Sequence, residues 1–246
     1  MAGKSTYFLS DFHLGAHNQL GREPERRIVA FLDYIKDKAA RVFLLGDILD
    51  YWYEYKYVVP KGFVRFFGKL AELTDSGIEV TWLIGNHDIW IFDYLPNELG
   101  IKVIDGNTEV EIESKVFFLS HGDGIGTPPR YFRFMRSVFR NRFCQRLYAA
   151  IHPRWTIPFA LRWSRESREG GGQEKSEEGL DRMIKWSHEW VRKHPETDYI
   201  VFGHLHRAES INLGDERKMI VLGDWISLMS YAEFDGKELR LCRWHG

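Results

Sequence analysis

The chain has 246 residues, 44% hydrophobic and 28% charged, with a formal net charge of −1. That length suits one compact body with a modest insertion, because a chain of this size buries about three quarters of its unfolded surface around a single core. Two widely separated cysteines, Cys144 and Cys242, exclude a disulfide framework or a thiolate zinc site and fit a reducing cytoplasm; the lack of a signal-peptide core or of a membrane-length apolar run predicts a protein neither exported nor membrane-spanning.

In chain order, Tyr7 to Ser10 reads as a short apolar strand. Arg26 to Ala39 reads as an amphipathic helix with Ile28, Phe31, Leu32 and Ile35 on one face, and Arg41 to Leu45 as a second strand. A helix from Phe63 to about Thr74, stopped by Ser76-Gly77, leads to a strand over Glu79 to Ile84. This alternation predicts a largely parallel, buried sheet, because parallel strands need crossover connections that are usually helical. Val110 to Ile112 and Val116 to Ser120 predict a hairpin or meander. From Thr127 to Lys193 aromatic residues and arginines mix, predicting a helical insertion. Gly170 to Gly172 breaks it, Ser167 to Glu178 is a candidate flexible loop, and a further helix starts near Leu180. Tyr199 to Phe202, Met219 to Leu222, Ser227 to Phe234 and Leu239 to Cys242 read as strands, with the C-terminal third mostly antiparallel.

Five segments each follow a predicted strand and carry metal-ligand side chains: Asp11-Phe12-His13, Gly46-Asp47-Ile48-Leu49-Asp50, Gly85-Asn86-His87-Asp88, His121-Gly122-Asp123 and Gly203-His204-Leu205-His206. In an open α/β sheet, functional groups gather beyond the carboxyl ends of the strands. Glycines before Asp47, Asn86 and His204 permit tight turns and close backbone approach. Any one segment fits a surface turn or a satisfied core histidine; five together predict a metal centre of mixed carboxylate, amide and imidazole donors.

The same segments, in this order, resemble the calcineurin-like metallophosphoesterases, with the pattern D-x-H, G-D-x-x-D, G-N-H-[DE], H-G-D, G-H-x-H. The resemblance implies an α/β fold, a four-layer αββα sandwich with a helical lid inserted at about 127–193. It also implies two divalent metal ions, with Mn2+ favoured. Asp11, His13, Asp47 and His206 would hold one ion, and Asp47, Asn86, His121 and His204 the other. Such a pair activates a hydroxide for in-line attack on phosphorus. His87 is expected to face the reacting phosphate with Asp88 orienting its ring. Asp50 and Asp123 either orient ligands or close turns.

Between Tyr131 and Trp163 apolar residues recur at spacings of three or four, interleaved with arginines, a basic amphipathic pattern suited to anionic headgroups. The chain also looks like the UDP-2,3-diacylglucosamine hydrolases of lipid A synthesis, in its N-terminal motif, in Trp52, around Tyr131 and in Val221-Leu222-Gly223-Asp224-Trp225. That likeness implies attack on the α-phosphate of an acylated UDP-sugar, yielding UMP and 2,3-diacylglucosamine 1-phosphate. It places the protein in the cytoplasm, peripheral to the inner membrane, with no nucleic-acid partner. Trp52, Asp123, Tyr131, Arg162, Ser164, Arg165 and Lys175 become the candidate substrate contacts. One position departs: the better-known hydrolases carry an arginine where this chain has His87, so another group, such as an insertion arginine, must help bind phosphate. The alternative is a phosphatase or phosphodiesterase for soluble nucleotides or other small phosphate esters.

Overall fold

The structure is a computed structural model that describes residues 4–16, 22–126, 130–169 and 173–246; the side chains of residues 132, 167–169 and 173–176 are outside that description. The first half alternates strand and helix: β1 (Ser5–Leu9), α1 (Glu23–Ile35), β2 (Ala39–Leu45), α2 (Val64–Asp75), β3 (Glu79–Leu83), α3 (Tyr94–Leu99) and β4 (Lys102–Ile104). A hairpin of β5 (Thr108–Ile112) and β6 (Lys115–Ser120) precedes four helices, α4 (Arg130–Arg140), α5 (Arg142–Ala150), α6 (Pro153–Glu169) and α7 (Gln173–Lys193). The chain closes with β7 (Thr197–Phe202), β8 (Ala208–Gly214), β9 (Arg217–Leu222), β10 (Ser230–Phe234) and β11 (Leu239–Arg243).

These strands form two sheets, ordered β11-β10-β1-β2-β3-β4 and β5-β6-β7-β9-β8. Side chains alternate across a strand, so β1 sends Tyr7 and Leu9 toward α1 and α2 and Phe8 into the space between the sheets. There Phe8 stacks on Phe43 at 5.3 Å and on Phe117 of the other sheet at 5.4 Å. Beyond the second sheet, α7 packs Met183, Trp186, Trp190 and Val191 against Phe118, Phe202 and Met219. The order of layers is helix, sheet, sheet, helix, held by three apolar seams.

The expected face of the first helix is buried: Ile28, Phe31, Leu32 and Ile35. Its bounds shift toward the N-terminus, because Pro24 sits in the first turn, where its missing N–H costs nothing, and Ala39 pairs with Ser5 in the sheet. The C-terminal third is mostly antiparallel as expected, with β8 paired to β9 and β10 to β11 in that sense. β7 runs parallel to both β6 and β9, while β10 crosses to the first sheet and pairs antiparallel with β1, covering its open edge. The short elements α3, β4 and β8 are additional to the sequence reading. Helix occupies most of the Ser167–Glu178 candidate loop, since α6 runs to Glu169 and α7 starts at Gln173; Gly170 to Gly172 are outside the described residues. The segment expected as one insertion divides: α7 is the outer layer of the second sheet, whereas side chains from α4, α5 and α6 line a cavity. No described helix is long and apolar enough to cross a membrane.

Candidate metal centre and the cavity beside it

Asp11 follows β1, Asp47 follows β2, Asn86 follows β3, His121 follows β6 and His204 follows β7. Strands β1 to β3 are parallel in one sheet, as are β6 and β7 in the other, so these carboxyl ends deliver their loops to one end of the sandwich. Main-chain bonds zip the loops together. Asp11 N–H donates to the Gly46 carbonyl at 3.1 Å, His13 N–H to that of Asp47 at 3.0 Å, and Gly203 N–H to that of His121 at 3.0 Å. Asp11, His13, Asp47, His204 and His206 all have positive φ, between 45° and 73°. Non-glycine residues reach that region only when the surroundings compel them, a form of strain that gathers at functional sites. Gly85 has a different use: a Cβ there would overlap the Asp47 carboxylate and its main-chain nitrogen.

The result is a convergence of lone pairs. Ligand atoms of Asp11, His13 and His206 lie within 4.8 Å of one another, as do those of Asp47, His121 and His204 and those of His13, Asp47 and His87. His13 Nδ1 lies 3.1 Å from Asp50 Oδ1 and donates to that carboxylate, leaving Nε2 free to face His206 Nε2 at 3.2 Å. His121 Nδ1–H donates to the Leu45 carbonyl at 2.8 Å, turning Nε2 to within 3.1 Å of Asn86 Oδ1 and 3.3 Å of Asp47 Oδ2. Fixing the far ring nitrogen in this way is what outer partners of metal-binding histidines do. Asp11 accepts the His204 N–H through Oδ2 at 2.9 Å, while its buried Oδ1 has no hydrogen-bond partner. Facing imidazole nitrogens, an amide oxygen and an orphaned carboxylate oxygen fit hard-to-borderline divalent cations.

The electrostatics agree. Burial opposes ionisation of Asp47, but the charges of His121 and His87 and a hydrogen bond from His121 hold its carboxyl well below the usual range. Asp11 is lowered too, burial being outweighed by the neighbouring rings of His13, His206 and His121. Burial by itself would lower His121, yet the Asp47 carboxylate raises it to about 10, while burial, reinforced by His121, takes His204 down to about 4. The carboxylates thus demand positive charge at one spot.

A cavity of about 420 Å³ opens beside this cluster. Asp50, Asn86, His87 and Asp123 line one part of it, and Tyr51, Trp90, Phe139, Tyr148, Phe159 and Trp163 are among the residues lining the apolar remainder. Helices α4 to α6 are tied to the body there: Trp90 Nε1–H donates to the Phe139 carbonyl at 2.8 Å, and the Tyr53 hydroxyl donates to the Gln145 carbonyl at 2.6 Å.

The sequence profile of the calcineurin-like phosphoesterases matches residues 5–208, which span every loop of the cluster. The chain belongs to that family. It is therefore a phosphoesterase that works with divalent metal ions. A UDP-2,3-diacylglucosamine hydrolase of Porphyromonas gingivalis is 41% identical over 250 residues, covering 96% of this chain and 95% of the relative. Proteins of the same name from Haemophilus influenzae and Nitrosococcus oceani are each 26% identical, over 90% of this chain and 91% and 87% of theirs.

Within this phosphoesterase the expected ligands Asp11, His13, Asp47, Asn86, His121, His204 and His206 come together, and His87 lies among them, its Nε2 3.9 Å from Asp47 Oδ2. Asp88 does not orient His87. It points inward and accepts from Gly85 N–H at 2.7 Å, Ile48 N–H at 2.9 Å and Trp82 Nε1–H at 3.2 Å, so it staples the loops after β2 and β3. Its burial, with Asp47 nearby, raises its carboxyl to about 6. Trp52 is likewise no substrate contact: it is fully buried against Phe67 and Tyr94, with Nε1–H bonded to Glu54. Arg162 is exposed and pairs with Glu166, and Arg165 is exposed; neither lines the cavity, because α6 turns Ser164 inward instead. Tyr131, Asp123 and Ser164 do line it. The Lys175 side chain is outside the described residues.

Some residues escaped the sequence reading. Asp224 Oδ2 stands 3.6 Å from His206 Nδ1, and its Oδ1 accepts N–H groups from Ile226, Ser227 and Leu228. Burial resists this, but the His206 ring beside it and the bonds from Ser227 and Leu228 lower its carboxyl to about 2. The signal was available: Gly223-Asp224 ends β9 as Gly46-Asp47 ends β2. Arg136 of α4, with Nε 3.6 Å from Asp123 Oδ2, is an insertion arginine that lines the cavity.

Proposed function

We propose that the chain hydrolyses the pyrophosphate of UDP-2,3-diacylglucosamine, giving UMP and 2,3-diacylglucosamine 1-phosphate. One observation carries this reading: an apolar cavity, large enough for hydrocarbon and roofed by α4 to α6, is continuous with Asn86, His87 and Asp123 beside the carboxylate and imidazole cluster. A phosphoesterase for soluble nucleotides has no use for such a chamber. Relatives that cover nearly the whole chain bear the name of this activity.

Asp11, His13, Asp47 and His206 would hold one divalent ion and Asp47, Asn86, His121 and His204 a second, with Mn2+ favoured by the oxygen and nitrogen donors. When bound, the ions acidify water and neutralise phosphate oxygens. Asp50 and the Leu45 carbonyl hold the Nδ1–H groups of His13 and His121, so that each Nε2 would face an ion. His87 faces the phosphate, Arg136 supplies positive charge from the insertion, and the aromatic wall takes the acyl chains and excludes water. Water oxygen ends on UMP: the bond from the α-phosphorus to the bridging oxygen breaks, and that oxygen leaves with the lipid phosphate.

The outside of the roof supports the finer assignment of a peripheral protein on the cytoplasmic face of the inner membrane. Trp155, Phe143 and Phe134 are each more than 60% exposed there, beside exposed Arg133, Arg142, Arg146 and Arg154. Aromatic anchors among cations suit an anionic bilayer surface. The test is Mn2+-dependent release of UMP from the diacylated substrate in detergent, run in H2(18)O, with label expected in UMP and not in the lipid phosphate. Cleavage of a simple aryl phosphate ester without any UMP release would return the protein to the small-ester alternative.

A further inference from the structure

Ser164 lies on α6 and is buried, with 5% exposure. Its hydroxyl oxygen is 2.7 Å from His87 Nδ1, and the Asp50 carbonyl approaches the same nitrogen at 3.3 Å. On the opposite edge of the ring, Nε2 lies 3.9 Å from Asp47 Oδ2. His13 meets the ring edge-on, with centroids 4.8 Å apart at 84°. Asp50 and His13 belong to the loops after β2 and β1; Ser164 alone among these partners comes from the roof of the cavity.

The torsion that turns an imidazole about its Cβ–Cγ bond is soft, with broad wells, so polar partners decide where the ring nitrogens point. The shorter of the two bonds to Nδ1 is the one Ser164 makes. Helix α6 is itself anchored: the hydroxyls of Tyr55 and Thr156 are 2.8 Å apart, and Trp163 packs edge-on against Phe139 at 6.5 Å. The position of the roof is thereby transmitted to the ring.

We infer that Ser164 is a positioning residue that aims His87 at the reacting phosphate, so the roof of the cavity completes the reaction site as well as enclosing the substrate. This rests on the reading that His87 faces phosphate, and it differs from a headgroup contact, the role the sequence suggested for Ser164. A ring released from Ser164 can turn toward Asp50 Oδ1, which already lies 3.7 Å from Nδ1.

The test is a double-mutant cycle of Ser164→Ala and His87→Ala with Ser164→Thr as the conservative variant. It is run with Mn2+ on bis(p-nitrophenyl) phosphate and on the diacylated UDP-sugar. The aryl diester has neither sugar nor acyl chain, so a headgroup role is silent in it. With the aryl diester, Ser164→Ala should lower kcat by about tenfold with KM nearly unchanged, since small misplacements of reacting groups cost rate. Ser164→Thr should restore most of that loss, and Ser164→Ala should cost nothing more in the His87→Ala background. Full kcat on the aryl diester with a raised KM for the lipid substrate would overturn the inference. Multiplicative losses in the double variant, or an unimpaired His87→Ala enzyme, would do so as well. A wild-type enzyme that cleaves the aryl diester but releases no UMP would remove the lipid assignment and leave this cycle decisive.

Discussion

Gly85→Ala tests how tightly the scaffold sets Asp47. The added Cβ would lie 3.0 Å from Asp47 Cγ and closer still to its Oδ1 and main-chain nitrogen, where ordinary contact begins at 3.4 Å. The neighbours have little freedom to yield. Asp47 Oδ1 accepts the His87 N–H at 2.8 Å, Gly85 N–H is bonded to Asp88, and the Asp47 carbonyl accepts from His13. Relief therefore requires a shift on the order of 1 Å in the residue expected to touch both ions, and such a misplacement costs roughly 100-fold in rate. Overpacking adds about 1–3 kcal/mol of instability, equivalent to roughly 3–10 °C in Tm for a chain of this size. Turnover of an aryl phosphodiester at saturating Mn2+, bound metal by mass spectrometry and thermal unfolding in chelator measure the three effects. Wild-type turnover and metal content in this variant would refute the claim that loop crowding places the Asp47 carboxylate.

Asp47→Ala and His121→Ala should each abolish turnover and weaken Mn2+ binding in calorimetric titration while far-UV circular dichroism stays native. Ala160→Trp, which fills the cavity from α6, should raise KM for the diacylated substrate at least tenfold and leave the aryl diester unaffected, in parallel steady-state assays. Asp88→Asn should cost about 2–4 kcal/mol in urea unfolding of the chelated protein, since an amide cannot serve the three donors that the carboxylate accepts. Asp224, lowered from 3.8 to about 2, stabilises the fold above pH 3.8, and that contribution disappears as pH falls through about 2. After allowance for solvent screening it is worth about 1–2 kcal/mol. Unfolding free energies of wild type and Asp224→Asn should therefore differ at pH 6 and converge near pH 2.

The five loops were legible because strand ends and ligand chemistry are local properties. Asp11, Asp47 and His121 each follow a buried strand within two residues, and the turn that ends the strand dictates where the side chain goes. Asp88 was misread for the opposite reason. Adjacency to His87 says nothing about which of two directions a side chain takes, and the unpaired N–H groups of Gly85 and Ile48 drew it inward. Trp52 sits just past a ligand loop, but the space beside Phe67 and Tyr94 that it fills is made by α2 and α3. In the insertion every few residues carry both an aromatic and an arginine, so spacing alone could not separate the cavity side from the solvent side.

The residue types of the centre, their order and the parallel strands that present them are written in the sequence, because each follows from periodicity and turn chemistry over a few residues. Which donors face one another, the inward turn of Asp88, the contact of Ser164 with His87 and the apolar chamber between body and roof were decided by tertiary structure. Those features depend on packing between segments far apart in the chain, and the free energy that selects them exists only once two sheets and the helices around them have met.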